Sequence, residues 1–177
     1  MNRPKLDARF WLVLLLITFA TFLLHEGGHW FAGELQGADM EFGLNNVRRV
    51  GGATLDAHAA MIVIASGPLV TIVQALIALL VVLRTGSLTA YAVLFSATYM
   101  RWMGAVISLF NPNDEARLSS LHGWGQWTLP VLVVAGLVAL TWAGSRRLGL
   151  GWRTNGLIYL GATVFGSLMV GLDMLLP

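Results

Sequence analysis

Residues 25–29 of the chain read His-Glu-Gly-Gly-His, closing the run FWLVLLLITFATFLLHEGGHW, which is otherwise almost entirely hydrocarbon. Residues four apart on an α-helix differ by about 40° around the axis and about 6 Å along it, so His25 and His29 face one point. Two imidazoles so placed can bind one metal ion, and the H-E-x-x-H spacing sets Glu26 beside it. The pattern predicts one zinc ion per chain. It also makes Glu26 a general base, taking a proton from a water that zinc has acidified towards a pKa of about 7 and passing it to a leaving amine. In a soluble helix, satisfied surface histidines explain many such matches. Within an apolar run that explanation weakens, because ionisable groups there are rare and usually functional.

The elements that must hold these residues are set by composition. Of 177 residues, 56% are hydrophobic and only 11% charged, with a mean hydropathy of +0.72. A soluble domain carries about 25% charged residues, so this chain could not cover a water-facing surface. The absence of cysteine excludes a disulfide framework, a thiolate metal site and a cysteine nucleophile. A net charge of +2, scattered along the chain, gives no reason to expect a nucleic-acid partner. Arg3, Lys5 and Arg9 precede the first apolar run as they would in a secretory signal. The run continues at helical length through HEGGHWFAG, however, and is read as a retained span.

The expected fold is an all-α integral membrane protein with about five transmembrane helices, forming a single membrane-embedded domain over 1–177. The spans fall at about 10–33, 58–83, 87–110, 126–143 and 154–176. Between the first two spans lies a polar segment with turn signals at Asn45-Asn46 and Gly51-Gly52, flanked by Met40, Phe42, Leu44, Val47 and Val50. That spacing predicts a short β-hairpin-like loop. Trp11, Trp30, Trp124, Trp127 and Trp152 lie near span ends, as an interfacial belt would. Counting Lys and Arg with the N-terminus inside puts Arg3, Lys5, Arg9, Arg84, Arg146, Arg147 and Arg153 on the inner side and Arg48, Arg49 and Arg117 on the outer. The bias favours an inside N-terminus and places HEGGH near the outer face.

A catalytic zinc has three protein ligands and an open position, so a third ligand must come from elsewhere. The first and third spans cross in the same direction, which brings their C-terminal ends to one side. Asp114 and Glu115 follow the third span there, and His58 and His122 lie on that side too. Geometry leaves these four open, with the two histidines read rather as interfacial residues or partners of a ligand. Arg101, inside the third span, has two readings: a structural ion pair, or a group acting on a carboxylate or an oxyanion at the site. Gly67-Pro68 predicts a kink in the second span, and Gly27 and Gly28 leave room for a neighbouring helix or a substrate backbone.

Three segments in order carry a resemblance to the site-2 protease-like intramembrane zinc metalloproteases. HEGGH is the first. ASGPLVT at 65–71 resembles the family's A-G-P-L-x-N element, with Thr71 in place of the asparagine. FNPNDEARL at 110–118 resembles the family's segment from Phe-Asn to Leu-Asp-Gly-Gly-Arg-Leu, with a shorter stretch before Asp114 and Glu115 in place of a glycine. The resemblance covers residues 20 to about 118. It implies that Asp114 completes the zinc site with His25 and His29, leaving Glu115 as the alternative carboxylate.

It further implies an endopeptidase that hydrolyses a peptide bond in or near the transmembrane segment of a membrane protein, as in regulated intramembrane proteolysis. Its partners would be that protein or peptide and the lipid bilayer. The expected location is a multi-pass position in the cell membrane of a prokaryote. Family members keep the active site towards the cytosol, against the Lys/Arg bias. The rival reading is a zinc-binding membrane protein with a structural, sensing or transport role. A histidine-rich di-iron hydroxylase is set aside, because the chain has only four histidines.

Overall fold

A computed structural model describes residues 6–51 and 54–175. Arg3 and Lys5 of the charge count, Gly52 of the second turn signal and the last residue of the span expected over 154–176 lie outside the described residues. The order of elements is α1 (Ala8–Leu35), β1 (Met40–Phe42), β2 (Val47–Arg49), α2 (Ala57–Thr85), α3 (Leu88–Ile107), α4 (Asp114–Leu121), α5 (Thr128–Leu148) and α6 (Trp152–Asp173). The first three long helices open on side-chain caps. Asp7 accepts from Phe10 N at 2.9 Å, Asp56 from Ala59 N at 2.8 Å and Ser87 from Ala90 N at 3.1 Å. Helices α2 and α5 end on glycines in the left-handed region, Gly86 at φ 67° and Gly149 at φ 65°.

Among the described residues four helices, α1, α2, α5 and α6, are long and apolar enough to cross a membrane, which points to a membrane protein. The fifth expected span, α3, is not among them. The reason is its position, enclosed by neighbouring helices with a run of buried residues from Ala90 to Arg101. A helix surrounded by protein can carry polar groups that a lipid-facing one cannot. Thus Tyr91 donates to Asn155 Oδ1 at 2.6 Å, Ser96 meets Thr18 at 3.4 Å, Thr98 meets Thr141 at 2.7 Å, and Arg101 reaches Glu115 at 3.1 Å. Those same residues lower its hydropathy.

The apolar core gathers Phe10, Leu14, Ala75, Ala78, Val82, Tyr91, Leu94, Ala97, Leu137 and Ile158 from α1, α2, α3, α5 and α6. Its many alanines let the backbones approach closely, which gives dispersion contacts where lipid supplies no hydrophobic drive. The core takes up one half of α1. The polar cluster begins at His25, about 26 Å along that helix from its start.

The hairpin forms as the turn residues predict, β1 antiparallel to β2 with Met40 opposite Arg49 and Phe42 opposite Val47. It is tied down on both sides. On α1, Glu34 Oε1 accepts from Met40 N at 2.9 Å and Trp30 Nε1 donates to the Met40 carbonyl at 3.1 Å, while the Met40 side chain fills the space left by Gly33. At the end of α6, Asp173 accepts from the backbone of Leu44 at 3.0 Å and Asn45 at 3.2 Å and from the Asn46 amide at 2.9 Å. One difference from the sequence reading is α4, a helix within what reads as a loop. Asn113 caps it, accepting from Ala116 N at 3.3 Å, and Asp114 and Glu115 occupy its first turn, where acidic side chains complement the helix dipole.

Candidate metal centre

The helical spacing brings His25 and His29 together as expected, and α4 delivers Asp114 to them. His25 Nε2 lies 3.2 Å from His29 Nε2 and 3.2 Å from Asp114 Oδ2, and His29 Nε2 lies 3.4 Å from the same oxygen. Among the described residues this is the one group of three His, Cys, Asp or Glu side chains placed to share an ion. Zinc bonds of about 2.0–2.1 Å to nitrogen and oxygen give a tetrahedron with edges of about 3.3–3.4 Å. The three observed separations match those edges.

The remaining ring nitrogens bear on which protons these atoms carry. His29 Nδ1 lies 2.7 Å from the Val63 carbonyl, which can only accept, so Nδ1 carries a proton and in the neutral ring Nε2 presents a lone pair. His25 Nδ1 lies 3.1 Å from Thr71 Oγ1, itself a donor to the Gly67 carbonyl at 3.1 Å. With both rings neutral, two imidazole lone pairs and a carboxylate oxygen converge beside the Arg101 guanidinium, whose Nη2 is 3.3 Å from His25 Nε2 and Nη1 3.5 Å from Asp114 Oδ2, and this is a donor set that zinc can take. Burial alone would raise the Asp114 carboxyl. The Arg101 guanidinium, 3.5 Å from its Oδ2, opposes this and favours the charged form that a metal ligand needs.

The second helix is shaped to this purpose. Pro68 has no N–H to give the Ile64 carbonyl and opens the ladder at that turn, where the neighbouring Val63 carbonyl accepts from His29. Gly67 lies directly under both imidazoles. A Cβ there would meet His25 Cε1 at 2.6 Å and His29 closer still, so a side chain would displace the two imidazoles. Gly28 faces Gly67 across the helix pair, where a Cβ would come within 3.2 Å of its Cα. Gly27 opens instead towards Phe42 of the hairpin, 3.9 Å away.

Glu115 turns away from the cluster. Its carboxylate accepts from Arg101 Nη1 at 3.1 Å and from Asn113 Nδ2 at 3.0 Å, and both Arg101 and Glu115 are buried. Arg101 also approaches Asp114 Oδ2 at 3.5 Å and His25 Nε2 at 3.3 Å. The departure from glycine at position 115 thus has a physical account, since Glu115 supplies the counter-charge for an arginine on the enclosed helix. His58 and His122 do not join the cluster. Both are exposed, with His122 capping α4 and its Nδ1 2.9 Å from the Leu118 carbonyl.

Glu26 is buried at 6% exposure and lines the same cavity as His25, His29 and Asp114, and its side chain has no hydrogen bond to a described residue. The cavity, about 920 Å³, extends from His25, Glu26, His29 and Asp114 to Val47 of the hairpin and to Val170 of α6. Sequence reasoning missed the roles of Thr71, Val63 and Gly67. Gly67 and Thr71 stand one helical turn apart, a spacing that puts both on the face that meets α1, whereas a backbone carbonyl such as that of Val63 leaves no signal in residue type. Comparison of the chain with protein-family models, curated proteins and solved structures returns no match.

Proposed function

We propose that the chain is a multi-pass intramembrane zinc metalloprotease, of the kind the site-2 protease resemblance implies, with α3 as a fifth span shielded from lipid. The observation that carries this reading is the convergence of His25 Nε2, His29 Nε2 and Asp114 Oδ2 at zinc-tetrahedron spacing, with each Nδ1 engaged behind, by Thr71 Oγ1 and by the Val63 carbonyl. Charge balance supports it. One guanidinium, Arg101, faces two carboxylates, Glu115 at 3.1 Å and Asp114 at 3.5 Å, and a cation held at the cluster would supply the missing positive charge. In a low-dielectric interior an uncompensated charge is expensive.

His25, His29 and Asp114 would hold the zinc, which when bound supplies Lewis acidity towards water and the scissile carbonyl. Glu26 accepts the proton of the attacking water as its oxygen bonds to the carbonyl carbon. It then delivers that proton to the amide nitrogen as the C–N bond breaks. A cavity of about 920 Å³ beside these residues has room for the water the reaction consumes. The β2 edge addresses the other difficulty, that a helical substrate hides its scissile carbonyl in its own hydrogen bonds. Val47 lies opposite Phe42 between hydrogen-bonded pairs of the ladder, so its peptide groups point outward, and it lines the cavity. An unwound segment can add to such an edge as a further strand.

The reading is tested by reconstituting the purified chain in liposomes with single-span peptide substrates. Cleavage is expected, its loss on treatment with a zinc chelator, and its return on adding zinc. Cleavage indifferent to chelation would contradict the metal mechanism. For the hairpin, Val47→Pro removes one outward N–H without touching the β1–β2 bonds. One backbone hydrogen bond is worth about 0.5–1.5 kcal/mol, so cleavage should fall about 3–10-fold with zinc content unchanged. Wild-type cleavage by this variant would remove β2 from substrate capture.

A further inference from the structure

We infer that Thr71 is a positioning residue for the metal centre, fixing the tautomer and orientation of His25 so that its Nε2 lone pair faces the ion; this rests on the zinc site proposed above.

The argument follows the protons. Thr71 Oγ1 has one hydrogen and two neighbours, the Gly67 carbonyl at 3.1 Å and His25 Nδ1 at 3.1 Å. The carbonyl can only accept, and with the hydroxyl proton directed to it the oxygen faces the imidazole with lone pairs and takes the proton of His25 Nδ1. The chain then runs from Gly67 through Thr71 to His25. It ends with Nε2 unprotonated, 3.2 Å from both His29 Nε2 and Asp114 Oδ2.

Thr71 is fully buried, so no bulk water stands ready to replace its oxygen. Without it, His25 Nδ1–H would be a buried donor with no acceptor, and the ring would lose its reason to keep the proton there. The other neutral tautomer places a proton on Nε2, in the position that the metal must occupy. Groups of this kind behind a ligating histidine commonly change metal affinity by about 10–100-fold.

The two ligands are unequal in this respect. His29 takes its support from the Val63 carbonyl, which no substitution of a side chain removes. His25 takes it from a hydroxyl, so its strength as a ligand is open to change at a single position. This gives a role to the residue at which the 65–71 segment departs from the asparagine of the family it resembles.

The test is zinc affinity by chelator competition on the full chain in detergent, for wild type, Thr71→Val, Thr71→Ala and Thr71→Ser, with the absorption spectrum of the cobalt-substituted forms. Valine keeps the shape and removes the acceptor, while alanine provides a second removal should valine not fold. Both should weaken zinc binding about 10–100-fold and alter the cobalt spectrum, whereas serine should stay close to wild type. Valine or alanine variants that bind zinc as tightly as wild type, or a serine variant as weak as they are, would overturn the role of Thr71 alone. A wild type that binds no zinc would overturn the metal centre itself and this inference with it.

Discussion

Glu26→Gln is expected to keep its zinc and to lose cleavage by about 10²–10⁴-fold, the range in which a positioned proton carrier contributes. Glutamine has the shape of glutamate but cannot accept the proton of the attacking water. The substitution should disturb little else. Glu26 is not one of the three converging side chains, and its carboxylate makes no hydrogen bond to a described residue that glutamine would break. Zinc per chain and single-turnover cleavage of a single-span peptide in liposomes, measured on the same preparation, check it. A variant that cleaves like wild type would remove Glu26 from the chemistry. Zinc in both proteins with cleavage by neither would favour the rival reading of a zinc-binding membrane protein without peptidase activity.

Arg101→Met should destabilise the protein by about 3–5 kcal/mol, because it leaves the Glu115 carboxylate buried without its counter-charge. Glu115 would retain only the Asn113 amide at 3.0 Å, and Asp114 would lose the same guanidinium. The companion variant makes this specific. In Arg101→Met with Glu115→Gln the charge is removed from both partners, and glutamine still accepts from Asn113, so the part of the loss due to Glu115 should be recovered, while the part due to the Arg101 contacts with Asp114 and His25 remains. Unfolding in mixed detergent, followed for the two single variants and the double, measures the coupling. Additive losses in the double variant would show that the pair does not act as a unit.

How much of this was legible in the sequence depends on how local the cause is. Helix periodicity acts within one turn, so the meeting of His25 and His29 follows from their spacing. The hairpin is also local, set by Asn45-Asn46 between apolar residues. Asp114 was accessible to the argument that two spans crossing in one direction end together, but that argument could not separate it from Glu115. Their separation depends on Arg101, a partner 14 residues from Glu115 on another helix. The α3 helix shows the same limit from the other side. Its Tyr91, Thr98 and Arg101 have polar partners on α5, α6 and α4, so hydropathy alone cannot tell a helix enclosed by protein from one that faces lipid. The α4 helix was missed although its signal is local, an asparagine cap followed by two acidic residues, because only eight residues follow it.

Zinc content of the purified chain tests the central claim most directly, compared among wild type, Asp114→Ala and Glu115→Gln. The convergence of His25, His29 and Asp114 predicts about one zinc per wild-type chain, lost in Asp114→Ala and kept in Glu115→Gln. A wild type purified without chelator that holds no zinc, or zinc that survives Asp114→Ala unchanged, would contradict it.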